Sequence, residues 1–279
     1  MSIVEARERF ETEGYVVGRG LFSPSEVADL REHYMELRES GTYAGDFDGV
    51  DIGSADPLKR YPRMIHMHRW DEASLKWLID SRLNQWLTGL AGAEPYAVQT
   101  MLYFKPAGAR GQALHQDQFY LRVEPGTCLA AWLALDACDE ENGCMRVVPR
   151  SHKLPVLCTV KADTTQSFTD VTVPVPDSLE AVPVLMDAGD VLFFNGSVIH
   201  GSYPNTSETR FRRALIGHYI VGEAQKVASY YHPVLRMDGS EVELGVSSGG
   251  GPCGVWAQGE SGPVVTMTQQ DPVPAGLHE

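Results

Sequence analysis

AVQTMLYFKPAGARGQALHQDQFYLRV, residues 97–123, is the stretch that decides the fold. It reads as two strand-like runs, 97–104 and 113–123, parted by a segment carrying Pro106, Gly108 and Gly111. Toward the C-terminus the same texture continues in CLAAWLALD (128–136), MRVVP (145–149), DVLFFN (190–195), SVIHGS (197–202) and RRALIGHYIV (212–221). Many short strands at close spacing, with turn residues between them, predict an antiparallel sandwich or barrel. Toward the N-terminus the apolar period lengthens. Ser23-Pro24-Ser25-Glu26 offers an N-cap, a proline at the first helical position and a glutamate at the third. Val27, Leu30, Tyr34 and Leu37 then recur at three- and four-residue steps until Gly41. Residues 72–91 repeat the pattern, with Leu75, Leu78, Ile79, Leu83, Trp86 and Leu87 on one stripe, and the Gly- and Asp-rich 41–61 between them reads as an irregular loop. The expected fold is mainly β with α, in a single domain spanning 1–279. A helical layer (1–92) packs on a double-sheet core (93–221), followed by a C-terminal extension (222–279).

Charge narrows the function. Lys and Arg number 23 against 37 Asp and Glu, a net −14. Phosphate recognition needs clustered Lys and Arg, so neither nucleic acid nor an anionic membrane is expected as a partner, and a small-molecule enzyme stays open. No stretch approaches the roughly 20 apolar residues of a membrane span. MSIVEARERFETEG at the start has no apolar signal-peptide centre. The cysteines, Cys128, Cys138, Cys144, Cys158 and Cys253, show no C-x-x-C spacing, so free thiols in a reducing cytoplasm are expected. Nothing in the sequence fixes the oligomeric state.

Histidines carry the first hint of chemistry. His115 and Asp117 lie two apart in a strand-like run, which places both side chains on one face about 7 Å apart along the strand. In a chain of this composition an acid two places after a histidine is expected about once by chance, so the pair alone has little force. His200, followed by Gly201 and Ser202, adds a second imidazole. Two histidines and one carboxylate suit a non-haem Fe(II) site with open positions. The competing reading is a histidine satisfied by a neighbouring carboxylate in a β-core. One strand downstream, Arg212 and Arg213 supply a guanidinium able to hold a carboxylate through two parallel hydrogen bonds. Their opposite parity lets only one point inward.

Four stretches together resemble the phytanoyl-CoA dioxygenase (PhyH) family of Fe(II)/2-oxoglutarate-dependent oxygenases. They are F-x-x-x-G-Y-V-V (Phe10 to Val17), the HQD triplet at 115–117, WLALDACDEENGCMRVVPRSHK (132–153) and HGSYPNTSETRFRRAL (200–215). The resemblance implies a cupin-like jelly-roll, a double-stranded β-helix with the N-terminal helices packed on it. It implies His115, Asp117 and His200 as iron ligands at the catalytic centre, with 2-oxoglutarate as cosubstrate and O₂ as oxidant. Arg212 matches the arginine that grips the distal carboxylate of 2-oxoglutarate, and Met101, Gln116, Trp132 and Ser202 match positions lining it. The stretch from His200 to the arginine is one residue longer than the family pattern, which leaves Arg213 open beside the favoured Arg212. The implied reaction hydroxylates an unactivated C–H bond of a small-molecule substrate and releases succinate and CO₂. Related halogenases lack the carboxylate that Asp117 supplies.

Further candidates are His66 and His68, which alternate on an extended segment, and Tyr120, Arg122 and Arg146 on strand faces. His152 is expected to shape its own loop. The extension with Tyr230, Tyr231 and His232 is expected to fold over the active-site mouth. The net charge disfavours a CoA thioester and favours a polar neutral or cationic metabolite. Two other classes remain open at this stage: a jelly-roll using a divalent metal for non-oxidative isomerisation or hydrolysis, and a non-catalytic ligand-binding module.

Overall fold

The N-terminal layer follows from capping and apolar periodicity. In the computed structural model, which describes residues 1–43, 46, 49–249, 251–260 and 262–268, it holds α1 (Ile3–Glu13), β1 (Tyr15–Gly18), α2 (Pro24–Glu39), α3 (Pro57–Arg60), β2 (Met64–Ile65), α4 (Glu72–Leu78) and α5 (Ser81–Ala91). The box expected at Ser23 is present: its N–H donates to Glu26 Oε2 (2.8 Å) and its Oγ accepts from the Glu26 N–H (3.3 Å). The single helix read over 72–91 is two, because Asp80 accepts from the Arg82 N–H (2.8 Å) and starts a new one. Its apolar stripe survives the break, with Leu78, Leu83 and Leu87 buried. Of the 41–61 loop, residues 44, 45, 47 and 48 lie outside the described residues, and Pro57–Arg60 is helical rather than irregular.

The core contains β3 (Tyr96–Lys105), β4 (Gln112–His115), α6 (Gln118–Leu121), β5 (Cys128–Ala134), β6 (Met145–Val147), β7 (Val160–Lys161), β8 (Val171–Thr172), β9 (Val182–Val184), β10 (Val191–Asn195), β11 (His200–Ser202) and β12 (Arg212–Ile220). A major sheet runs in the order β1-β10-β5-β12-β3, with β2 against β3, and a minor sheet runs β4-β11-β6-β9. Consecutive neighbours in both are antiparallel. Two facing antiparallel sheets make the expected jelly-roll.

Alternation along the major sheet separates two cores. Leu102, Phe104, Leu133, Phe193 and Leu215 face the helices and pack with Phe10, Val27, Tyr34 and Leu87. Met101, Trp132, Leu192, Phe194 and Ile216 face the minor sheet and pack with Met145, Val147 and Val184. Each such side chain contributes roughly 1.5–3 kcal/mol when fully buried.

The extension supplies β13 (Lys226–Val227), β14 (Val234–Leu235), β15 (Glu241–Val242), β16 (Gly245–Val246) and a hairpin of β17 (Cys253–Gly259) with β18 (Gly262–Thr268). β14 and β15 continue the major sheet beyond β3. The extension's Pro-rich end, 269–279, lies outside the described residues. The expectation of free thiols holds for the buried Cys128, Cys138 and Cys144. It fails for Cys158 and Cys253, which form a disulfide tying the hairpin to the loop before β7. A cytoplasmic address therefore no longer follows from the cysteines. Among the described residues no helix is long and apolar enough to cross a membrane.

Candidate metal centre and active site

β4 and β11 lie side by side with His115 directly opposite His200, ring centroids 4.2 Å apart. The strand run read over 113–123 ends at His115. Asp117 has helical dihedrals (φ −63°, ψ −31°) at the start of α6, so a turn rather than strand alternation brings its carboxylate back. Likewise His200 begins its strand instead of ending one. Asp117 Oδ1 lies 3.5 Å from His115 Nε2 and 3.6 Å from His200 Nε2. The three ligand atoms fall within 4.8 Å of one another, and all three residues are buried.

Backbone carbonyls aim both rings. His115 Nδ1 pairs with Ala113 O (2.9 Å) and His200 Nδ1 with Val198 O (2.9 Å), so each Nδ1 carries the proton and each Nε2 presents a lone pair to the centre. Burial holds His200 down at about 4, which keeps it neutral at physiological pH. Burial would raise Asp117, but His200, His115 and His218 outweigh it and hold the carboxyl well below its usual range. The donor set is two imidazoles and one carboxylate, which fits Fe(II). His218, one strand away on β12, pairs its Nε2 with Asp117 Oδ2 (3.2 Å) and steadies the second oxygen.

Arg212 and Lys105 are register partners on β12 and β3, and each is only 2% exposed. Arg212 Nε donates to Gly143 O (3.1 Å) and its guanidinium lies over the Trp132 ring at 5.3 Å, while Nη1 has no partner. Lys105 Nζ donates to Ser202 Oγ (2.7 Å) and Tyr203 O (2.6 Å). Among the described residues neither forms an ion pair; burial and then Arg212 hold the Lys105 amine well below its usual range, and Asp136, itself paired with Arg213, is the carboxylate within electrostatic reach of Arg212. Arg213 is spent on Asp136, with Nε at 2.8 Å and Nη2 at 2.7 Å from its two oxygens. A buried guanidinium with an orphaned nitrogen, beside a lysine amine, fits the distal carboxylate of a dicarboxylate cosubstrate.

The remaining candidates separate clearly. Met101 and Trp132 lie on the inner face of the major sheet, and Ser202 bonds Lys105. Gln116 is tied by its amide: its Nε2 donates to Pro155 O (3.2 Å) and Ser197 O (2.8 Å), and its Oε1 accepts from the Leu157 N–H (2.8 Å). Its amide thus ties a loop and is not free for a cosubstrate. Tyr120 is close to the triad, its ring 6.2 Å from that of His115. Arg146 stacks on Tyr203, and Arg122 folds back onto Phe119 O. His152 meets Glu11 O (3.1 Å) in α1.

The extended segment expected at 64–69 bends instead. After β2, His66 takes φ 58°, ψ 28° and begins a 3-10 turn, Met67–Arg69. Both His66 ring nitrogens are buried without a partner, as is His68 Nε2. Each unpaired buried group costs about 1–3 kcal/mol. Tyr230 of the extension covers His66, ring centroids 4.8 Å apart.

Sequence reasoning missed Lys105 and His218. A lysine closing an otherwise apolar strand run was the only signal for the first. The second shares the parity of Arg212 on β12.

Comparison with known proteins bears on this geometry. The family model for phytanoyl-CoA dioxygenase (PhyH) matches residues 10–214. The chain belongs to the PhyH family. Phytanoyl-CoA dioxygenase 1 of Oryza sativa subsp. japonica is 27% identical over 243 residues, covering 76% of this chain and 86% of that protein. Ectoine dioxygenase of Stutzerimonas stutzeri (strain A1501) is 27% identical over 219 residues, covering 72% and 71%. Among solved structures, the epimerase SnoN in complex with Fe3+, alpha ketoglutarate and nogalamycin RO superimposes with a TM-score of 0.64 at 22% identity, covering 80% and 85%. With the triad His115, Asp117 and His200 complete, this PhyH protein is a non-haem iron, 2-oxoglutarate-dependent dioxygenase.

Proposed function

We propose that the chain hydroxylates an unactivated C–H bond of a small, uncharged or cationic metabolite. The observation carrying this reading is Asp117: a carboxylate completes the triad, and His218 locks its second oxygen. Iron at His115, Asp117 and His200 supplies the chemistry by which O₂ oxidises 2-oxoglutarate to succinate and CO₂ and the substrate is oxidised in turn.

The chain's own residues do the positioning. Arg212, with Lys105 acting through Ser202, grips the distal carboxylate, and Trp132 and Met101 wall the cosubstrate's carbon chain. The inner core around Leu192, Phe194 and Ile216 keeps water from that end. The net charge of −14 opposes an anionic substrate such as a CoA thioester.

The test is anaerobic addition of Fe(II) and then 2-oxoglutarate to metal-free protein, followed by visible absorption. A charge-transfer band is expected, together with succinate formation once O₂ is admitted. Arg212→Met raises the 2-oxoglutarate concentration for half-maximal band about tenfold or more, as loss of a charge-assisted bidentate contact requires. Arg213→Met leaves it near the wild-type value. Equal effects, or the reverse order, overturn the cosubstrate assignment, and a product without added oxygen overturns hydroxylation.

A further inference from the structure

A second group of imidazoles stands beside the iron triad. His66 occupies the left-handed region, rare for a residue with a Cβ although histidine is among those that enter it. Thr100 on β3 holds the bend: its carbonyl accepts the His66 N–H (2.8 Å), and its hydroxyl accepts the His68 N–H (3.1 Å). The ring so placed is 8% exposed, lies 5.8 Å from that of His68, and is within electrostatic reach of His218, which bonds Asp117. Neither His66 ring nitrogen has a partner, and His218 Nδ1 has none either. Buried polar groups left unpaired in a native fold call for an explanation.

Resting on the oxygenase reading above, we propose that His66, covered by Tyr230, binds the reacting end of the substrate, and that this end is an uncharged group bearing a hydroxyl or carbonyl. Burial holds His66 down at about 3 and His68 at about 4, so both are neutral at physiological pH. A neutral imidazole offers one donor and one acceptor, which matches a hydroxyl and leaves a buried carboxylate or ammonium without a counter-charge. Of the two cations near this rim, Arg69 is engaged elsewhere, its Nη2 donating to Tyr230 O (3.2 Å) and His232 O (2.9 Å) and pinning the turn Ser229–Tyr231 over His66, while Arg63 acts on the Tyr230 and Tyr120 phenols. The site is also distinct from the carboxylate grip. Six residue steps along β12, about 20 Å of strand, separate Arg212 from His218. Tyr230 is half-exposed, with its ring on His66, and forms a rim that a substrate must meet on entry.

Matched fragments test this on the full chain loaded anaerobically with Fe(II) and 2-oxoglutarate, reading the shift of the visible band. Cyclohexanol and cyclohexanone shift it, whereas cyclohexanecarboxylate and cyclohexylamine need at least about tenfold more. His66→Phe keeps the ring but removes both hydrogen-bonding nitrogens, and raises the neutral-fragment requirement about tenfold. His66→Asn, which tolerates the left-handed backbone and keeps a donor and an acceptor, recovers most of that loss. Tyr230→Ala, at a half-exposed position, raises the requirement several-fold. The proposal is overturned if charged fragments act as well as neutral ones, if no neutral fragment acts, or if His66→Phe and Tyr230→Ala respond like the wild type. Loss of the band itself in His66→Phe with an unchanged circular dichroism spectrum moves His66 to the cosubstrate and also overturns it. A wild-type protein with no band at all overturns the oxygenase reading, a failure separable from every other outcome.

Discussion

Gly201 sits between the ligand His200 and Ser202, where an added Cβ would lie 2.6 Å from Gln112 O and 3.1 Å from Ala113 O. Those atoms belong to β4, the strand that carries His115, so any side chain at 201 pushes the two ligand strands apart. Gly201→Ala is expected to keep the fold and to weaken Fe(II) binding about tenfold or more, measured by metal titration. The same scale shows what the sequence could and could not reveal. His115, Asp117 and His200 were legible because the stretches around them resemble a family; their residue types and spacing alone left open a core histidine paired with an acid. Parity said only that one of Arg212 and Arg213 points inward and the family resemblance favoured Arg212; the structure buries Arg212 and pairs Arg213 with Asp136. Lys105 was not legible, since its meaning comes from being opposite Arg212, a property of register and not of spacing. The loop contacts of Gln116 were not legible either, because its place between two ligands says nothing about which way its amide turns.

Elements were read well where local chemistry sets them. α2 begins where its capping box predicted, and that box is also a pH-sensitive device. Hydrogen bonds from Arg82 and then from Ser23 push Glu26 from 4.5 down to about 2. A carboxyl depressed on folding adds stability that is present above its unfolded value and is lost as pH falls through the folded one. Glu26→Gln is therefore expected to destabilise the protein at pH 7, by an amount that shrinks steadily below pH 4.5. Urea unfolding of both proteins from pH 7 to pH 3 checks this, and a difference that grows on acidification would contradict it. Elements were misread where a single side chain redirects the backbone. Asp80 splits the helix of 72–91, and the chain leaves β4 at His115 to enter α6, so periodicity alone overran both boundaries.

Across the whole molecule, the helical layer and the two sheets follow from patterns visible in the sequence, whereas the joining of distant segments does not. Cys158 and Cys253 are 95 residues apart, and nothing local pairs them. Closing so long a loop typically contributes about 2–4 kcal/mol. Cys253→Ser is expected to lower Tm by roughly 5–10 °C, seen by calorimetry, with the charge-transfer band retained at low temperature. Gln116 gives this architecture a wider consequence. Its backbone lies between two ligands while its amide holds Pro155 and Leu157, next to Cys158 and just past the exposed Lys153. The loop is thus a gauge of how firmly the ligand strand is set. Trypsin cutting after Lys153 is expected to slow several-fold when Fe(II) is added, since metal stabilises the closed state against local opening. A cleavage band on a gel would then report iron occupancy in a crude extract, without a substrate, a product or a spectrum.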